Sequence, residues 1–217
     1  MAPSDPTPHG PRTPIDLAYP FTGRWLVQNS PADRVPSHGT RRFATSFAID
    51  FVPVDDGGRS GAITGRTLVR PEPAHAFVGF GRAVSAPVTG TVVAVHDGED
   101  DHDAFRGLPS LWYALTQPRR VAAGWPALAG NHVMISPAAG VVVAVCHLRR
   151  GSVAAARGAR VIGGEQVGEC GNSGNSTEPH VHVQAMDGTD PSSATALPIT
   201  FGGRLPAGGA VVTGASG

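Results

Sequence analysis

Apolar residues in this chain recur in short runs bounded by turns, not at helical spacing. FATSFAIDFV (43–52), RAVSAPVTGTVVAVHDG (82–98), GNHVMISPAAGVVVAVCHL (130–148) and VIGGEQVGECG (161–171) read as strands. VTGTVVAV and VVVAVCHL are rich in β-branched residues, which suit a pleated, half-buried surface. PVTG and PAAG have hairpin-turn character. No 3.6-residue pattern persists. One helix is predicted over Pro109–Thr116, with proline in its first turn. It lies in a segment, 97–130, that is less strand-like than its flanks and reads as an insertion between two strands. The pattern predicts an all-β chain with one short helical insertion.

The ends differ from the middle. Residues 1–15 are Pro-rich and polar and read as a disordered or extended arm. Residues 206–217 read as a similar tail, with a last short strand at 210–213. That leaves 16–205 as a single domain carrying the insertion, an ordinary size within 217 residues. A hydrophobic fraction of 41% is enough for a real core, and no apolar run reaches the roughly 18 residues of a membrane-spanning helix. Formal charge is +0, with 17 basic residues, all arginine, against 17 acidic. Nothing in that balance points to nucleic acid or an anionic surface. Cys146 and Cys170 allow either one disulfide or two buried thiols. The opening MAPSDPTPHGPRTPIDLAYP lacks the basic start and apolar run of a signal peptide. The location is therefore open, cytoplasmic or reached through a leader outside this sequence.

Candidate chemistry starts at GNSGNSTEPHVHVQ (171–184). In a strand His180 and His182 share a face while Val181 takes the other. Their spacing suits one metal ligand with a neighbour poised beside it, or two surface histidines. Asp50 sits in the apolar run FAIDFV. If buried, its carboxylate needs a cation, a metal or several donors; at a strand end it could face water. His147 closes the apolar strand VVVAVCHL, and His38 lies in the polar stretch SHGTRRF. Each alone is equally readable as an ordinary core, rim or loop residue.

Taken together and in order, these pieces resemble the M23 peptidases, the lysostaphin- and LytM-like zinc endopeptidases of peptidoglycan. SHG followed by FAIDF is similar to the family's first ligand pair. VSAPVTGTVVAVHDG, GNHVMI and VCHLRRGSV are similar to its central strands. VIGGEQVGECGNSGNSTEPHVHVQ resembles its most diagnostic block. The resemblance runs from about Phe21 to Phe201. It implies mainly antiparallel sheets arranged as a barrel-sandwich hybrid. It also implies one Zn2+ held by His38, Asp50 and His182, with His147 and His180 as the catalytic histidines. Three protein ligands and an open position are what a hydrolytic zinc centre needs. The implied substrate is a peptide bond in peptidoglycan cross-links or stem peptides, and the implied location is extracellular or periplasmic.

One departure stands out. Many members space the first ligands as H-x-x-x-D, whereas His38 and Asp50 are twelve positions apart here. Fully extended, that stretch would separate them by about 40 Å, so it must fold back. His75 is the alternative, placed less well beyond Asp50. Two competing readings remain: an inactive M23-like binding or regulatory module, and a histidine phosphocarrier on a related scaffold. Asp50 favours a metal over a phosphohistidine. Asn172–Ser176 read as loop support, and Glu178 either as an acceptor orienting a ligand histidine or as a solvated carboxylate. The acidic run HDGEDDHD (96–103) reads as a solvated turn or a second metal site. The 97–130 insertion reads as one wall of a substrate groove.

Overall fold

The computed structural model describes residues 13–65 and 67–214. The predicted tail positions 1–12 and 215–217 lie outside those residues. Thirteen strands form among the described residues: β1 (Ile15–Leu17), β2 (Gly23–Gln28), β3 (Ile49–Pro53), β4 (Ala83–Ser85), β5 (Gly90–His96), β6 (Asn131–Ala138), β7 (Val141–Leu148), β8 (Arg160–Val161), β9 (Gln166–Glu169), β10 (Val181–Met186), β11 (Ala196–Leu197), β12 (Ile199–Phe201) and β13 (Val211–Gly214). The main sheet runs β13-β2-β3-β10-β7-β6-β5-β8, with β11 on the side of β10. Its pairings are all antiparallel. Two small pairs complete the fold, antiparallel β4-β9 and parallel β1-β12. The expected mainly antiparallel all-β class is what the chain adopts.

Alternation along the strands explains the layering. Val133, Ile135, Val143, Val145, Val181 and Val183 point into the main core, with Phe21, Trp25, Phe51 and Phe201. Burying side chains of that size is the chief stabilising term for such a sheet. Met134, Ala144, Cys146 and Met186 face the other way, under Trp125 and Ala129.

Several details differ from the pattern-based expectation. The run 43–52 is a strand only from Ile49; Phe43 and Ala44 have positive φ (56° and 58°) and turn the chain. PAAG is a true hairpin between β6 and β7, with Gly140 at φ 72°. PVTG is not, because β4 pairs with β9 while β5 pairs with β6 and β8. The insertion holds three short helices, α1 (Leu108–Leu115), α2 (Gln117–Ala122) and α3 (Trp125–Ala129). Each has proline in its first turn, so each proline starts a new helix where one longer helix could not run. No helix among the described residues is long and apolar enough to cross a membrane.

Candidate metal centre

A single row of side chains across four strands builds the centre. Gln28 of β2 lies opposite Asp50 of β3, Asp50 opposite His182 of β10, and His182 opposite Cys146 of β7. Ile49, Phe51, Val181 and Val183 face the core. The intervening Asp50, His182 and Gln184 therefore share the opposite face. Direct cross-strand neighbours come within reach of one another: His182 Nδ1 is 2.9 Å from Asp50 Oδ1.

His38 arrives from the long β2–β3 connection. Buried Ser37 ties that loop to its own far end: its N–H donates to Ser46 O (3.0 Å) and its hydroxyl to Ala48 O (2.7 Å). The left-handed pair Phe43–Ala44 closes the loop between those points. His38 Nε2 consequently lies 3.1 Å from Asp50 Oδ2, despite twelve intervening steps of chain. Ligand atoms of His38, Asp50 and His182 all lie within 4.8 Å of one another, and no other such group exists among the described residues. His75 is exposed in the turn Ala74–Ala76 and does not line the groove.

Hydrogen bonding selects which nitrogen of each ring carries the proton when the ring is neutral. Gln184 Nε2 donates to Phe43 O (3.0 Å), so Gln184 Oε1 faces His182 Nε2 at 3.0 Å and accepts its proton. That leaves His182 Nδ1 with a lone pair towards Asp50. Ser37 has already given its hydroxyl proton to Ala48 O, so it accepts from His38 Nδ1 at 3.0 Å. His38 Nε2 then also turns a lone pair towards Asp50. Two imidazole lone pairs against one buried carboxylate repel unless a metal cation sits among them or the rings take up a second proton and donate it to Asp50. The donor set is two nitrogens and a carboxylate, which suits zinc. Burial pushes the Asp50 pKa up, but with the rings protonated the positive charge on His38 and His180 and the hydrogen bonds from His182 and His38 outweigh it and hold the carboxyl well below the usual range.

His147 and His180 stand beside this group. Their ring centroids are 4.5 Å apart, and His180 Nε2 is 3.8 Å from Asp50 Oδ1. His147 Nδ1 donates to Ser173 O (2.9 Å), and His180 Nδ1 donates to Glu178 O (2.8 Å) with Ser176 Oγ alongside at 2.9 Å. Each ring therefore keeps Nε2 as its open nitrogen. Burial, reinforced by His180 and His182, holds the His147 pKa well below its ordinary value. Strand alternation alone would send His147 into the core beside Val143 and Val145. Its φ of 62° and a bulge against β6 reverse that: Cys146 and His147 both line the groove, and Leu148 takes the core position.

The five histidine and aspartate positions open into a groove of about 610 Å3. One wall is α2 and α3, through Gln117, Val121, Trp125 and Leu128. Glu178 acts through its backbone carbonyl on His180, while its carboxylate accepts from Ser60 (2.5 Å) instead of orienting a ligand. The acidic run is not merely a solvated turn. Asp97 accepts from the N–H groups of Gly151 and Val153, and Asp101 from those of Arg150 and Asn172. Cys146 and Cys170 are both free and buried, and burial pushes their thiols up out of the reactive range. Sequence reasoning passed over Asn29 and Gln184, both in contact with the centre. For Gln184 the signal was present: it is the next same-face residue after His182.

Residues 113–194 match the model of peptidase family M23, a span containing His147, His180 and His182 but not His38 or Asp50. Among solved structures, the catalytic domain of the antimicrobial peptidase lysostaphin from Staphylococcus simulans is similar at 17% identity. The match covers 69% of this chain and 73% of that one, with a TM-score of 0.39. The catalytic domain of EnpA, a prophage-encoded M23 protein from Enterococcus faecalis, is similar at 23% identity, covering 72% and 78%, with a TM-score of 0.37. A SpoIIQ–SpoIIIAH pore-forming complex gives 14% identity, 85% and 89% coverage, and a TM-score of 0.42. Likenesses this loose carry no functional weight. The family match covers less than half of the chain, and it spans the segment that holds three of the clustered histidines.

Proposed function

We propose that this chain is a zinc-dependent metalloendopeptidase with His38, Asp50 and His182 as metal ligands and His147 and His180 as its proton-handling pair. The observation that carries the reading is the convergence of His38 Nε2 and His182 Nδ1 on one buried carboxylate while each ring's other nitrogen is engaged elsewhere, an arrangement that a metal cation among them would satisfy. Zinc bound there would acidify a water and polarise the scissile carbonyl. The remaining work falls to side chains. His147 and His180, anchored through Nδ1 to Ser173 O and Glu178 O, present Nε2 to the groove. A neutral Nε2 can accept a proton from the attacking water. A protonated one can donate to the developing oxyanion. With both rings held against backbone carbonyls, little reorganisation is needed during the reaction. The wall formed by α2 and α3 would orient an extended peptide along the groove, and peptidoglycan cross-links or stem peptides are the substrate class that the resemblance to peptidase family M23 supports. The organisation that goes with this reading is one peptidase domain over 16–205, whose sheets also take in Ile15 and β13 from the flanking segments 1–15 and 206–217.

Digestion of purified muropeptides, with mass analysis of the products and with and without chelator, tests the activity. The role split predicts that His180→Ala retains stoichiometric zinc but loses hydrolysis. Asp50→Ala and His182→Ala should lose both. Zinc analysis of the three variants checks this, and equal zinc loss in all of them contradicts the assignment. A wild-type preparation that takes up no zinc on reconstitution sinks the reading as a whole.

A further inference from the structure

Besides the histidines, one further side chain touches the carboxylate on which the centre converges. Asn29 Nδ2 lies 2.7 Å from Asp50 Oδ2. An ionised carboxylate only accepts, so the amide must present its N–H here. The backbone delivers it in an unusual way. β2 ends at Gln28, directly opposite Asp50. In continued extended chain, residue 29 would point to the core face, as Val27 does. Asn29 instead has φ 48°, the left-handed region that asparagine enters more readily than most residues. Gln28 and Asn29 therefore both line the groove, and the amide swings over Asp50.

We propose that Asn29 is a positioning residue of the metal centre, holding the Asp50 carboxylate in the orientation that faces His38 and His182. The inference rests on the zinc reading above. Its logic follows from the proton placement. His38 and His182 direct their N–H groups away from Asp50, to Ser37 and Gln184. With both imidazoles committed to a cation, Asn29 is the one neutral N–H donor left on this carboxylate among the described residues. A carboxylate that lacks such a donor is free to rotate about its χ2 bond, and part of the binding free energy is then spent on ordering it. Outer donors of this kind typically set metal affinity by roughly 10- to 100-fold.

Asn29→Gly and Asn29→Ala separate the amide from the backbone. Glycine keeps the left-handed turn and removes the amide, whereas alanine removes the amide and strains the turn. Zinc affinity of the full chain is measured by competition with a chromophoric chelator, and apo melting is followed by circular dichroism. The expected result is zinc binding weakened roughly 10- to 100-fold in both variants, with the apo melting temperature of Asn29→Gly close to wild type. Wild-type zinc affinity in Asn29→Gly overturns the inference and leaves the metal-site reading standing, whatever alanine does. A wild-type chain that binds no zinc overturns both.

Discussion

At the scale of single residues, the site depends on where lone pairs and protons are directed. Gln184 is the clearest case. Its amide is clamped between Phe43 O and His182 Nε2, and that clamp decides which His182 nitrogen is left open. Gln184→Leu keeps much of the volume but removes the acceptor. His182 can then place its proton on Nδ1, where it bonds to Asp50 and competes with the metal. We expect zinc affinity to fall by roughly 10- to 100-fold, checked by chelator competition. Unchanged affinity would show that the tautomer is fixed by something else. His180→Ala, by contrast, should leave zinc binding intact, since His180 anchors to Glu178 O and contributes no atom to the three-ligand group. Asp50, His147, His180 and His182 were legible as sequence because their types and spacing carry chemistry. Asn29 was not, because its contact depends on one left-handed φ at the end of β2, an element the pattern analysis passed over. Its alternation signal, buried Trp25 and Val27 flanking Leu26, was nonetheless present.

Elements bring those residues together, and they do so largely by departing from regular strand geometry. Regular alternation accounts for Asp50 and His182, whose faces could be read from the period of two. It gives the wrong face for His147 and Asn29. In both, a positive φ puts two consecutive residues on the same side of the sheet. Sequence patterns record periods and not their interruptions, so the face that these two positions take was beyond reach, although His147 itself was legible by type and motif. The same limit explains the acidic run. HDGEDDHD has the composition of a solvated turn, yet Asp101 accepts from Asn172 N at 2.7 Å and from Arg150 N at 3.0 Å. It therefore braces the loop whose Ser173 carbonyl holds His147. Asp101→Asn keeps one acceptor and sets an NH2 group against the other N–H. The expected cost is about 1 kcal/mol or more, read by urea unfolding. Since none of the three proposed ligands lies on this loop, hydrolysis should drop more than zinc affinity does. Equal losses in the two, or none in either, would contradict the bracing role.

For the molecule as a whole, the sheet is covered on the groove side by α3, and one titratable group lies in that packing. His132 on β6 is buried, with its ring centroid 4.4 Å from that of Trp125 and 5.7 Å from that of His96. Burial lowers its pKa from 6.5 to about 4. The Gly130 carbonyl, which accepts from Nδ1 at 2.7 Å, opposes that shift, and His96 adds to it. The sign follows directly. Between pH 6.5 and 4 the unfolded chain holds a proton at this position that the folded chain does not, so stability falls as pH drops through that window. Above 6.5 neither state is protonated and the penalty vanishes. A shift of this size corresponds to a loss on the order of 3 kcal/mol by the lower end of the window. Trp125 is also part of the groove wall, so the loss is coupled to the packing of α3 on the sheet. His132→Gln removes the titration while keeping a side chain able to donate to Gly130 O. Urea unfolding of the metal-free protein at a series of pH values from 7 to 4 gives the comparison. The wild-type chain should lose stability more steeply than the variant over that range, even if the variant is less stable at pH 7. Parallel curves would mean that the folded and unfolded chains protonate His132 alike, and that α3 does not seal it from water.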